Sequence, residues 1–189
     1  MQREWFFMNI GINEVLDFWF DEENTKKWFK SSPEFDAEIK QRFETLWESA
    51  SRDELNNWKS SAEGCLALCI VLDQFPLNMF RGNSKSFATE KQSIAIAKQT
   101  ITVGFDDEIA VSRVSFLYMP LMHSENLEDQ DLCITCFAKR GLDDNLRFAK
   151  HHRGIIEEFG RFPHRNQILG RESTREEIAY LNSKKAFIG

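Results

Sequence analysis

The sequence predicts an all-α fold, about eight helices in stacked antiparallel pairs, on three observations. Apolar residues recur with a helical period through nearly every segment. No segment alternates apolar and polar residues as a half-buried strand does. Stretches rich in Ser, Thr, Asp, Gly or Pro separate the periodic runs at short intervals, so neighbouring helices pair back to back.

The elements follow in order. Ile12, Val15, Leu16, Trp19 and Phe20 repeat at i, i+3, i+4, i+7 and i+8, with Asn13 near the start as a cap. Ser32-Pro33 opens a second helix: Ser caps it, and Pro at the first helical position loses no hydrogen bond. Ile39, Phe43, Leu46, Trp47 and Ala50 then share a face. Ser61-Ala62-Glu63-Gly64 leads into Cys65–Leu72, apolar all round and so buried on most sides; Asp73-Gln74-Phe75-Pro76 should end it, because Pro cannot continue a helix. Thr89 is placed to cap Glu90–Val103, with Gly104 as the stop. Asp107–Leu121 is helical up to an end or kink at Pro120. Ser124 should cap the next helix, which closes at Gly141. Asp144 should cap Asn145–Phe159, with Gly160 as terminator. Ser173-Thr174-Arg175-Glu176-Glu177 contains a capping box for a last helix.

A length of 189 residues with no linker or low-complexity stretch argues for one domain, 1–189. The 17 phenylalanines predict an aromatic core. Net charge −6 argues against nucleic acid or an anionic membrane surface as a partner. The longest uncharged apolar run, Gly64–Leu72, is too short to span a bilayer. Met1–Met8 carries Glu4 and no sustained apolar run, so it does not read as a secretory signal, and the cytoplasm is the expected compartment. Cys65/Cys69 and Cys133/Cys136 have spacings that a zinc site also uses. Their neighbours Leu66, Leu68, Ile70, Ile134 and Phe137 are those of buried helices, so they read as core thiols. No metal and no cofactor is expected.

The residues that can carry chemistry gather at helix ends. Asp73 closes an apolar helix, where the dipole disfavours a carboxylate. It reads either as a catalytic acid or as half of a structural pair with Arg81, the nearest cation across the turn. His123, before a helix start, is a candidate general base, its tautomer fixed by Glu125 or another carboxylate. Tyr118 needs a hydroxyl partner if buried and lines the same predicted cavity. His152 shares a stripe with Ile155, Ile156 and Phe159, so it faces inward.

The most distinctive stretch is Gly160–Arg171. From Asn145 to Arg171 there are six Lys/Arg and two acids, a cationic window in an acidic chain. Arg161, Arg165 and Arg171 offer planar forks for phosphate or carboxylate, His164 can supply a proton, and Asn166 adds an amide. The competing reading is a clasp. Here Arg161 and His164 cap the preceding helix and pair with Glu125, Glu128, Asp129 and Asp131.

The set Leu72-Asp73-Gln74-Phe75-Pro76-Leu77-Asn78, Phe80-Arg81-Gly82, Phe87-Ala88-Thr89, Phe116-Leu117-Tyr118-Met119-Pro120-Leu121-Met122-His123-Ser124-Glu125 and Phe159-Gly160-Arg161-Phe162-Pro163-His164-Arg165-Asn166 resembles the domain-of-unknown-function 924 family of bacterial proteins. Val15-Leu16-Asp17-Phe18-Trp19-Phe20 fits too. The resemblance implies an all-helical fold similar to tetratricopeptide-repeat domains and no established activity. Leu77 departs from it, standing where the family usually reads Arg.

Two functional readings follow. In the first, Asp73, Arg81, Tyr118, His123, His152, Arg161, His164, Arg165 and Asn166 converge on a pocket for a small anionic metabolite. Arg161 and Arg165 clamp the anion there, and His123 or His164 moves a proton. In the second, the stack is a non-enzymatic module offering a protein or peptide partner a groove lined by Trp5, Phe6, Phe7 or Trp28. A purely structural charge network is the third possibility.

Overall fold

Pro76 lies inside a helix. The computed structural model describes residues 10–187, and within them the chain is all α, with ten α-helical segments and no strand. They are α1 (Ile12–Trp19), α2 (Glu22–Thr25), α3 (Pro33–Ser51), α4 (Ala62–Cys69), α5 (Phe75–Met79), α6 (Glu90–Val103), α7 (Val111–His123), α8 (Leu127–Lys139), α9 (Asp143–Phe159) and α10 (Arg175–Leu181). The excess over eight comes from α2, a single turn, and from α5, which continues α4.

The predicted stop at Asp73–Pro76 does not occur. A π-helical turn, Ile70–Gln74, joins α4 to α5 without a break, and the Phe75 N–H bonds to the Ile70 carbonyl five residues back. Proline has no N–H for the carbonyl four residues earlier and its ring crowds that oxygen. The wider turn makes room, and the Thr89 hydroxyl donates to the freed Leu72 oxygen at 2.6 Å. Thr89 is therefore a bridge rather than the predicted cap: its oxygen also accepts from Trp47 Nε1 at 3.0 Å.

Other caps hold where the signal is local. Ser32 accepts from the Phe35 N–H, and the Thr174–Glu177 box closes in both directions. Gly104 and Gly160 end α6 and α9 in the left-handed conformation, φ 81° and 68°, which favours glycine. Asn126, two residues past the predicted Ser124, caps α8, and Gly11 rather than Asn13 precedes α1. At α9 the start falls two residues earlier than predicted, with Leu142 in the cap position and no side-chain cap from Asp144.

Helices pack in pairs, α8 on α9, α7 on α8, α4 on α6 and α3 on α5. The main core is aromatic: Phe75 stacks on Phe43 at 4.6 Å, Phe18 meets Phe43 at 4.9 Å and Trp19 meets Phe116 edge-on at 5.4 Å. Trp28, part-buried, packs on Phe116 at 4.5 Å at the edge of this core; Trp5, Phe6 and Phe7 lie outside the described residues. All four cysteines are buried thiols, and no cluster among the described residues has a metal-ligand arrangement. A second, smaller core of Ile155, Ile156 and Phe162 holds α10 against α9, with Phe159, Tyr180 and Phe187 packed around it. No described helix is long and apolar enough to cross a membrane.

Candidate functional site

The π-turn presents the Asp73 carboxylate sideways from the middle of a helix to the last residue of α7. Both oxygens reach His123 Nδ1, at 2.9 and 3.0 Å. Irregular turns of this kind are concentrated at functional sites. The Asp73 side chain is 3% exposed and that of His123 is 19%. An ionised carboxylate can only accept, so the ring carries its hydrogen on Nδ1, and in the neutral ring Nε2 keeps a lone pair. Nε2 bonds to none of the described residues. Gln74 Nε2 donates to Asp73 Oδ2, fixing the carboxylate in turn.

Arg165 completes the site from the loop after α9. Nη1 donates to Glu90 Oε2 at 2.7 Å and Nη2 to the His123 carbonyl at 2.9 Å. The guanidinium lies between the Phe87 and Phe162 rings, 4.5 and 4.7 Å from their centroids. Asp73, Glu90, His123 and Arg165 line one recess with Leu77 and Phe87. Its volume is about 10 Å³, room for a single water-sized group. Burial pushes the Glu90 carboxyl above its ordinary value, and Arg165 opposes that shift.

The other sequence candidates lie elsewhere. Arg81 grips Asp36 at 2.8 Å instead of Asp73, because the continuous helix carries it two turns away from that acid. The Tyr118 hydroxyl donates to Asp106 at 2.8 Å, and burial with that neighbour drives its acidity well down. Arg161 reaches both Glu177 oxygens at 2.6 and 2.9 Å and the Glu172 carbonyl. Asn166 Nδ2 also donates to Glu177, and Arg171 grips Glu125 with both Nη atoms. The cationic forks thus hold the protein's own acids, and none of the predicted partners Glu128, Asp129 or Asp131 belongs to Arg161.

His152 and His164 flank Phe162 and Phe187 in the smaller core, ring centroids 4.4–5.6 Å from those phenylalanines. Burial pushes His152 down to about 4 and His164 to about 3. The ordinary value is 6.5. A histidine depressed in the folded state is protonated first in the unfolded chain. Its contribution is therefore intact above pH 6.5 and lost as pH falls toward 4. We expect His152→Phe to flatten urea-denaturation stability between pH 6.5 and 4 by about 1–2 kcal/mol, allowing for water reaching a charged ring. An unchanged slope would contradict the burial of that ring.

Sequence reading missed Glu90 and Glu177 as partners of the arginines. Their only signal was generic: acids in the first turn of predicted helices.

Fold and site together define an all-helical protein whose middle carries a carboxylate-held histidine beside a closed Arg–Glu pair. The family described as "Bacterial protein of unknown function (DUF924)" matches residues 15–185, and the chain belongs to that family. The solved structure of a protein of unknown function from Agrobacterium tumefaciens is similar at TM-score 0.85 and 38% identity, over 90% of this chain and 96% of that one. No curated protein matches the chain.

Proposed function

We propose that the chain is an enzyme that transfers a proton at His123 Nε2, acting on a small anionic metabolite seated over the recess. The carrying observation is the Asp73–His123 pair, in which a buried carboxylate orients a partly exposed imidazole. Asp73 holds the ring and favours the imidazolium that forms when Nε2 takes a proton, the role an acid plays behind a catalytic histidine. Arg165 is the cation that lines the recess with His123, and its Nε is buried without a partner among the described residues. It would meet the anionic group of the metabolite. The water-sized recess supports a substrate that reaches in with one small polar group rather than entering whole.

A thermal-shift screen against phosphorylated and carboxylated metabolites tests this. A ligand at about 100 times its dissociation constant stabilises by roughly 2.7 kcal/mol. The expected result is a hit that Arg165→Lys weakens. For that compound His123→Gln keeps the shift but lowers turnover by about 10²–10⁴-fold. No shift from any compound, or turnover unchanged in His123→Gln, would defeat the reading.

A further inference from the structure

A separate feature lies on the far side of the smaller core. Between α9 and α10 runs an open groove of about 620 Å³, within the roughly 300–1,000 Å³ usual for small-ligand sites. The chain returns antiparallel along α9: Arg161, just past the end of α9, grips Glu177 at the start of α10, while Phe187, beyond α10, meets His152 edge-on. This course gives the groove two electrical ends. Lys150 and His151 of α9 share one with Lys185, and Glu158 of α9 shares the other with Glu176. The neighbouring Arg153, Glu157, Arg161 and Glu177 are consumed in ion pairs; Lys150, Lys185, Glu158 and Glu176 pair with none of the described residues. Ala179 and Tyr180, with the edge of the buried Ile155, form the apolar stretch between the ends.

Gly154 is the second observation. It sits exposed in the interior of α9 on this groove, and its φ is not left-handed. A methyl built on it would meet nothing within 4 Å. Neither packing nor backbone conformation asks for glycine there, and glycine weakens a helix relative to alanine. What a missing side chain provides is close access of another backbone to the helix.

We propose that the groove binds a short peptide with free termini. Its carboxylate lies toward Lys150, His151 and Lys185, its ammonium toward Glu158 and Glu176, and its backbone crosses over Gly154. From His151 to Glu158 the helix rises about 10 Å, the span of about three extended residues. A tripeptide with an apolar central residue over Ala179 and Tyr180 fits this spacing.

The test is an NMR titration of the ¹⁵N-labelled full chain with Ala-Leu-Ala, and with the same tripeptide acetylated and amidated. The free tripeptide should give saturable amide shifts confined to α9 from Lys150 onward and to residues 175–187, and capping should weaken binding at least about tenfold. Gly154→Ala should also weaken binding about tenfold or more while raising the melting midpoint by about 2–4 °C. A structural role for Gly154 cannot give both results. The proposal is overturned if no saturable shift appears up to about 10 mM. It is equally overturned if the capped peptide binds as well, if Gly154→Ala binds undiminished, or if the shifts centre on His123.

Discussion

Glu177→Ala should release α10 from the body of the protein. The Glu177 side chain, 2% exposed, accepts from Arg161 Nε and Nη2, from Asn166 Nδ2 and from the Thr174 N–H. Alanine takes one of two acceptors from the buried Asn166 amide, opens the capping box and leaves Arg161 without its acid. Losing one partner of a buried pair costs about 3–5 kcal/mol. Arg161 is 28% exposed and can regain water, and the Asn166 amide keeps Ser173 Oγ as a partner at 3.1 Å, so the low end of that range, roughly 3 kcal/mol, stands. The smaller core that also anchors α10 has only three buried hydrophobic residues, Ile155, Ile156 and Phe162, so the loss should appear as local detachment. Limited proteolysis and hydrogen exchange should show 174–187 opening while the main core stays protected. Glu177→Gln, which keeps acceptors at the same place, should retain part of the protection.

The same acid sets a pH window. The Arg161 hydrogen bonds, with those from Thr174 and Asn166, hold the Glu177 carboxyl down at about 2 against an ordinary 4.5. A carboxylate depressed in the folded state contributes fully above pH 4.5 and loses that contribution as pH falls toward 2. The protection of 174–187 should fall across that interval in the parent protein. In Glu177→Ala, already open at neutral pH, no such step should remain.

What the sequence made legible was local. The Ser32 cap, the Thr174–Glu177 box and the glycine stops at Gly104 and Gly160 each involve residues within four positions, and each appears in place. The partners of the charged residues were not local. Arg165 meets Glu90 across 75 positions, Arg171 meets Glu125 across 46, and Asp73 meets His123 across 50. Charge counting could say that the cationic window needed acids, but the packing of α6, α7 and the final loop chose which. Pro76 misled for the same reason. A proline stops a helix when its orphaned carbonyl has no other partner, and here the partner is Thr89, which is 17 residues from Leu72. The Asp73–Arg81 pairing failed with it, since that expectation assumed a turn where the helix runs on.

Thr89→Val tests that bridge. Valine keeps the shape of threonine but removes the hydroxyl that donates to the Leu72 oxygen and accepts from Trp47 Nε1. Thr89 is 2% exposed, so neither orphaned group regains water in place. An unsatisfied buried group costs about 1–3 kcal/mol, which predicts a loss of roughly 2–4 kcal/mol by urea denaturation. Thr89→Ser, which loses one methyl group and neither hydrogen bond, should cost about 1 kcal/mol. A loss in Thr89→Val no larger than in Thr89→Ser would show that the bridge carries no weight. The consequence should also reach the site. The Leu72 carbonyl lies beside Asp73 in the π-turn, and relaxing that turn toward a regular helix rotates the carboxylate away from α7. The His123 ring should then lose its fixed Nδ1 hydrogen, which ¹⁵N shifts of the imidazole report directly. A chain that ended its helix at Pro76 would avoid the bridge altogether. Continuing through the proline is what places a buried carboxylate halfway along a helix, facing a histidine.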